Sequence, residues 1–470
     1  PAPPASARRW AIAVTVYVTA VFNRTSLGVA GLRAATRFGI SPAQLSVFVL
    51  VQLGVYAAMQ VPTGLLVDRF GPRRLLITAA VTMAAAQLAF ALIPSYPAAL
   101  LARAALGCGD ALTFVSVIRF AVQDFPARRY PLAVSVTTML GMAGNLAATV
   151  PLTLLLRSAG WAPSFAAAGL VSLAAGVAVW LLLPAAPAGP PGPAGAGRRT
   201  GFFQPGTLVV QAGALPATLR RWRAAARHRA DRGRPLGPLG PAARRVRTAW
   251  HTPGTRLGFW VHFSCMSLTT MFGVLWGLPY LVAQGFSPAG ASAVLLACVL
   301  AALAISPVVG LVFGRFPAAR VPFAISVCLL TVAGWAVLLG CFGGRPPHPL
   351  ILVVAAFSAA GGPASTIGFS LARDYNAAAV VGTASGVVNV GGFSAAILAS
   401  LLVGGVLELA GQAGVPAYRL AFGCALGVQL AGTVAAARWW LRVRGHLLRA
   451  QSRGEPVPVR VVRRQFDRVG

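Results

Sequence analysis

Twelve long apolar runs leave this chain one environment in which to fold. They cover roughly 10–32, 44–66, 75–94, 98–122, 131–156, 163–183, 257–283, 289–313, 321–341, 350–371, 379–408 and 418–440. Spanning the hydrocarbon core of a bilayer takes about 20 apolar residues in a helix, and each run approaches or exceeds that length. Composition agrees. Hydrophobic residues make up 57% of the chain and charged residues 10%, with a mean hydropathy of +0.73. A water-soluble domain carries far more charge. The expected fold is an all-α membrane protein of twelve transmembrane helices.

The net charge of +32 comes from 40 basic residues, every one an arginine. In a soluble domain such a balance would suggest nucleic acid. Here the arginines gather in the gaps between apolar runs. With both termini on the cytoplasmic side, the inside segments hold Arg8, Arg9, Arg69, Arg73, Arg74, Arg128, Arg129, the whole 198–256 cluster, Arg315, Arg320, Arg373 and the tail. The outside loops hold only Arg33, Arg37, Arg157, Arg345 and Arg419. This asymmetry is the positive-inside rule, and it leaves little charge that needs a nucleic-acid explanation. Six cysteines, Cys108, Cys265, Cys298, Cys328, Cys341 and Cys424, fall mostly within the runs and form no C-x-x-C pair. That pattern argues against a disulfide framework or a zinc site. The first run follows Arg8 and Arg9 but is too long for a signal sequence and lacks a cleavage site, so it is expected to remain as the first helix.

The runs divide six and six. The expected units are an N-terminal bundle (1–183), a basic Pro/Gly-rich linker (184–255), a C-terminal bundle (256–440) and a basic tail (441–470). The linker opens with Pro184 to Pro187 and Gly189 to Pro193, which cannot build a core, and then carries a basic patch from Arg220 to Arg229. Such a patch suits an anionic lipid leaflet.

Between the second and third runs lies Gly64-Leu-Leu-Val-Asp68-Arg69-Phe70-Gly71-Pro72-Arg73-Arg74. This charged hairpin strongly resembles the signature loop between helices 2 and 3 of the major facilitator superfamily, with Pro72 where a basic residue is common. The sequence also repeats internally. Gly310-Leu-Val-Phe-Gly314-Arg315-Phe316-Pro317-Ala-Ala-Arg320 follows the eighth run as the hairpin follows the second, and Asp374-Tyr375 echoes Asp124-Phe125. The resemblance implies two pseudo-symmetric six-helix bundles that move a small solute by alternating access, with the substrate site near the midplane. It implies an inner-membrane, multi-pass monomer, no enzyme, no cofactor, no metal and no nucleic-acid partner. It also makes Gly64, Asp68, Arg69, Gly71, Arg73, Arg74 and Asp124 gating residues. Asp68 is expected to cap a neighbouring helix or to pair with Arg69 or Arg73. The copy at 310–320 lacks the acid, so Gly314 is expected to matter less. Glycines in the fifth and eleventh runs are read as sliding interfaces.

Only eight acids are present, and only Asp110 lies in the middle of an apolar run. An ionised side chain there costs about 2.5 to 3.5 kcal/mol on insertion scales, which marks it as a candidate proton carrier. Arg103 lies seven residues earlier, two turns along the same face. Arg103-Ala-Ala-Leu-Gly107-Cys-Gly109 resembles the helix-4 motif of proton-coupled members. The alternative is a structural ion pair.

Arg24 is the other charge at membrane depth. Its planar fork suits a carboxylate, and Tyr17 shares its face. Asn23-Arg24-Thr25-Ser26-Leu27 resembles the helix-1 stretch of the anion:cation symporters, with Asn23 in place of an acid. In that group the arginine binds the substrate anion and a helix-4 acid carries the proton. The alternative is that Arg24 pairs internally with Asp110. Tyr56, Asn145, His262, Trp276, Tyr280 and Asn389 are further candidates for a polar lining. Gly141 to Asn145 and Gly386 to Gly392 loosely resemble nitrate/nitrite porter signatures, but the second and eighth runs have no internal arginine. The helix-5 motif of drug efflux antiporters is not reproduced. Proton-coupled uptake of an organic anion is therefore the leading expectation, with nitrate/nitrite transport, drug efflux or a non-transporting sensor behind it.

Overall fold

The computed structural model describes residues 4–40, 42–149, 151–184, 240–411 and 414–462. The basic patch Arg220 to Arg229, Asp231 and Asp467 lie outside them.

Every apolar run becomes helical. The N-terminal half contains α1 (Pro4–Phe38), α2 (Pro42–Phe70), α3 (Pro72–Leu92), α4 (Tyr96–Asp124), α5 (Tyr130–Thr149), α6 (Pro151–Ala159) and α7 (Trp161–Leu182). A short helix, α8 (Pro241–His251), precedes the C-terminal half. That half contains α9 (Pro253–Met271), a π-helical turn (Phe272–Trp276), α10 (Gly277–Ala283), α11 (Pro288–Arg315) and α12 (Arg320–Gly340). It continues through α13 (His348–Ser358), α14 (Gly361–Ser365), α15 (Ile367–Tyr375), α16 (Val381–Leu409) and α17 (Val415–Ser452). Among the described residues, ten helical segments are long and apolar enough to cross a membrane.

Two segments depart from the expected boundaries. Residues 241–251, expected in the linker, form α8, and Ala249 of that helix is fully buried. The last helix does not end at Trp440 but runs unbroken to Ser452. The chain then folds back, and Gln451 exchanges two hydrogen bonds with the backbone of Val461.

Local chemistry explains the reversals. Gly71 sits at φ +80° ahead of α3, a left-handed conformation that glycine adopts without penalty. Pro72 follows at the first helical position, where its missing N–H costs nothing. The run at 350–371 is broken into α13, α14 and α15 around Gly361, Gly362 and Pro363. Proline cannot continue a helical hydrogen-bond ladder.

The two halves meet along two helix pairs, α2 with α16 and α5 with α11. Small residues set both contacts. A Cβ on Gly64 would lie 2.6 Å from the Gly382 carbonyl oxygen, and one on Gly310 would lie 2.7 Å from Leu132 Cα. The repeated hairpins therefore occupy matching places across the seam. At the Asp68 end the core is shared. Leu76, Phe114, Val117 and Tyr130 cluster with Phe369, Ala372, Ala384 and Val388 of the other half. At the opposite end the cores separate. Phe48, Phe90 and Phe165 belong to one cluster, and Tyr280, Trp335 and Phe422 to another. The molecule is closed at the Asp68 end.

Gly314 corrects one expectation. A Cβ there would run into the Arg128 carbonyl oxygen at the start of the α5 hairpin, so the acid-free copy is packed as tightly as Gly64. Overpacking a tight contact costs about 1 to 3 kcal/mol. Gly64→Ala and Gly314→Ala should each lower the thermal unfolding temperature by several degrees. Gly54→Ala, which meets nothing within 4 Å, should leave it near wild type.

Candidate functional site

Arg24, in α1, and Asp110, near the midpoint of α4, meet in the middle of the N-terminal half. Arg24 donates from Nε to Asp110 Oδ2 at 2.7 Å and from Nη2 to Oδ1 at 2.8 Å. This is the two-point geometry in which a guanidinium holds a carboxylate best. The Arg24 guanidinium also lies 4.5 Å over the Tyr56 ring of α2, a cation–π contact. Asp110 is sealed, its side chain 1% exposed, whereas Arg24 keeps 24% of its surface open. Of the two partners, Arg24 is the accessible one. Of the two readings of Arg24, the structure shows the internal pair.

Other candidates gather around this pair. Tyr17 sits beneath it, its ring 5.2 Å from Phe114. Phe114 meets Phe369 of the C-terminal half at 5.2 Å, and Phe369 meets the His262 ring at 4.9 Å. His262 Nδ1 contacts the Ser365 carbonyl at 3.1 Å, while its buried Nε2 has no partner among the described residues. The break in the helix before α15 places that Ser365 carbonyl. Tyr56 also stacks on Phe393 at 4.7 Å. One turn further along α2, Gln60 Oε1 accepts from Asn389 Nδ2 at 2.5 Å. Asn145 accepts from the Thr25 hydroxyl at 2.5 Å, beside Arg24. Arg24, Asp110, Tyr17, Tyr56, Asn145, His262 and Asn389 thus line one connected region. Gln60, Phe114, Phe369 and Phe393 join it without having stood out in the sequence.

Three expectations change. Tyr280 is remote from this region. It is buried in the aromatic core of the C-terminal half, stacked on Phe422 at 4.5 Å and 5.5 Å from Trp335. Trp276 donates to the Ser400 carbonyl at 3.1 Å and is held as a packing residue. Arg103 does not pair with Asp110. It is buried, donates to Gln52 Oε1 of α2 and lies 5.3 Å over the Phe90 ring. Asn23, where the resembling group has an acid, donates to Ser172 Oγ at 2.8 Å and accepts from Gln87 at 2.9 Å. It ties α1 to α3 and α7.

The Asp68 hairpin works across the seam. Asp68 accepts from the backbone N–H groups of Gly382 (3.0 Å) and Thr383 (2.8 Å) and from the Thr383 hydroxyl (2.8 Å). These are the otherwise unpaired donors at the N-terminus of α16, and a carboxylate there also meets the positive end of the helix dipole. Arg119 stands 3.8 Å from Asp68 and donates to the Ala378 carbonyl. Arg119 has no sequence signal beyond its position one turn before the end of an apolar run. Arg69 and Arg73 do not pair with Asp68. Arg69 lies over the Phe70 ring, and Arg73 donates to the carbonyls of Trp180 and Leu183 at the end of α7, both at 2.7 Å. Arg74 is exposed. Asp124 pairs with Arg9 at 2.7 Å, within its own half. Its counterpart Asp374 pairs with Arg320 at 2.5 Å. Arg373 reaches over the seam to the Phe125 carbonyl at 2.8 Å and lies 4.5 Å over the Tyr130 ring.

Two helix bundles that share a core at one end, with an ion pair at the centre of one of them, fit a membrane carrier. The family model described as Major Facilitator Superfamily matches residues 13–344, and the chain belongs to that family of secondary transporters. A relative is the probable sulfoacetate transporter SauU of Cupriavidus necator, 28% identical over 169 residues. That match covers 36% of this chain and 38% of the relative, so it spans well under half of either. Among solved structures the fold resembles the proton:xylose symporter XylE, with a TM-score of 0.60, 17% identity and coverage of 92% of this chain and 94% of that one. It also resembles the Escherichia coli fucose:proton symporter FucP, with a TM-score of 0.57, 14% identity and coverage of 92% and 98%. The human organic anion transporter MFSD10 gives a TM-score of 0.58, 18% identity and coverage of 92% and 100%.

Removing the Asp68 carboxylate leaves the α16 donors bare, a loss of about 1 kcal/mol for a helix cap. Asp68→Ala should therefore raise severalfold the maleimide reactivity of a cysteine placed at buried Ala384. Asp68→Asn, which keeps one acceptor oxygen, should fall between the two.

Proposed function

We propose that this transporter takes up a small organic anion together with a proton, and that Arg24 and Asp110 couple the two. The observation that carries this reading is that both Asp110 oxygens occupy the Nε–Nη2 edge of Arg24. A carboxylate or sulfonate reaching Arg24 must compete with Asp110. Protonation of Asp110 removes that competitor and lets Arg24 turn to the substrate. The first charge of the anion then restores neutrality around Arg24, and a second anionic group is left to the polar lining. An unpaired charge in a low-dielectric site is costly, so neither load is stable without the other.

Tyr56 supports the Arg24 guanidinium from below. Asn145, Asn389 and the unpartnered His262 Nε2 supply neutral polar groups for the remainder of the substrate. The short stretch related to a probable sulfoacetate transporter fits a substrate bearing a carboxylate and a sulfonate. In this reading the Asp68 end and both termini are cytoplasmic, in an inner membrane, since the arginine-rich segments lie there. The structure then represents the outward-facing form. Asp68 with Arg119 and the carbonyl contact of Arg373 act as the latch that transport must break. Each chain holds a complete site and works as a monomer.

Asp110→Asn in proteoliposomes should abolish uptake driven by an inward proton gradient while sparing exchange of labelled sulfoacetate at equal concentrations. Accumulation against a gradient by the Asn variant would remove Asp110 from the coupling step. Thermal shifts with sulfoacetate, nitrate, xylose and a cationic drug should single out sulfoacetate.

A further inference from the structure

A group of cations at the end of the bundle where α8 lies has no part in the transport site. Arg256, in the first turn of α9, donates from Nε to the Trp250 carbonyl at 2.7 Å, and its Nη2 lies 3.1 Å from His251 Nδ1. Its guanidinium lies 5.3 Å from the Trp250 ring centroid and 5.1 Å from that of Trp439 on α17. Arg442 lies 5.0 Å over the same Trp439 ring. Arg247 of α8 is exposed and close enough to act on His251. Burial, then the charges of Arg256 and Arg247, push that imidazole below its usual value. Three helices thus bring three guanidiniums together, two of them ordered by indole rings.

No acid answers them. Among the described residues, Asp110 is held by Arg24, Asp124 by Arg9, Asp374 by Arg320 and Glu455 by Arg453. Asp68 is committed to α16 and Arg119. Glu408 ends α16 at the other end of the bundle. Clustered like charges of this kind call for an anion. Position says which one. Arg256 lies at the start of a membrane-spanning segment, and indole rings favour the headgroup level of a bilayer. A lipid phosphate is carried to that level by its own acyl chains, whereas a free phosphate is not.

We propose that Arg247, Arg256 and Arg442, with the Trp250 and Trp439 indoles, bind the phosphate headgroup of an anionic phospholipid. The site is independent of what the carrier moves. The test uses the full chain purified in mixed micelles of equal phosphatidylglycerol and phosphatidylcholine, with retained lipid read by native mass spectrometry. Wild type should keep phosphatidylglycerol in severalfold preference. Each arginine at an anionic surface contributes substantially to such attraction, so R247Q/R442Q, which spares the partly buried Arg256, should bring that preference down to near parity. R345Q, at the opposite end, should retain it, and matching unfolding temperatures would show that both variants are folded. Unchanged lipid preference in R247Q/R442Q would overturn the proposal. So would displacement of phosphatidylglycerol by millimolar inorganic phosphate, because the site would then serve a free anion.

Discussion

A carboxylate inside a lipid bilayer must have a partner, and in a chain this poor in acids four aspartates fix pieces of the architecture. Asp124 binds the start of α1 to the end of α4. Asp374 binds α15 to the start of α12. Asp68 closes one half on the other through the end of α16. Asp110 occupies the bundle centre, and its partner Arg24 keeps 24% of its side chain open. The ordinary packing of small and aromatic residues surrounds these contacts. The acids decide which helices meet, and where the assembly can come apart.

The contacts at the seam differ in kind along its length. At the Asp68 end the halves share a core, backbone presses on backbone at Gly64 and Gly314, and a helix terminus is capped across the boundary. Near the centre Tyr56 with Phe393 and the Gln60–Asn389 amide pair link the halves. Rings and amides can be exchanged for a ligand at modest cost, while a filled helix cap is an all-or-none contact. Such a difference is what a bistable closure requires.

The helices, the two-half division and the hairpin turn were legible in the sequence because each has a one-dimensional signature: run length, a basic interruption, and a Gly-Pro pair. Arg24 and Asp110 were legible for a different reason, since a charge within an apolar run is conspicuous. Their pairing stood only as an alternative. Arg103 is seven residues from Asp110 on the same helix, and sequence spacing favours that neighbour over one 86 residues away. Only the packing of α1 on α4 decides it. Tyr280 misled because a tyrosine in a helix reads alike whether it faces a cleft or a ring cluster. Arg119 stayed hidden because an arginine near the end of a run fits the orientation rule and needs no further account. Gly314, at the acid's place in the second copy, was expected to matter less, yet it sits at a close approach that involves no charge.

The last helix runs for 38 residues without a break, about 57 Å at the usual rise, while the hydrocarbon core is about 30 Å thick. Part of α17 therefore projects beyond the bilayer, braced by its own returning strand through Gln451 and Val461. Because the rod is continuous, any tilt of the C-terminal bundle is carried undamped to its tip. A rotation too small to see at the central ion pair becomes a displacement of several ångström outside the membrane. The protein thus has a built-in pointer to its own conformational state, at a place where a label or another macromolecule could read it.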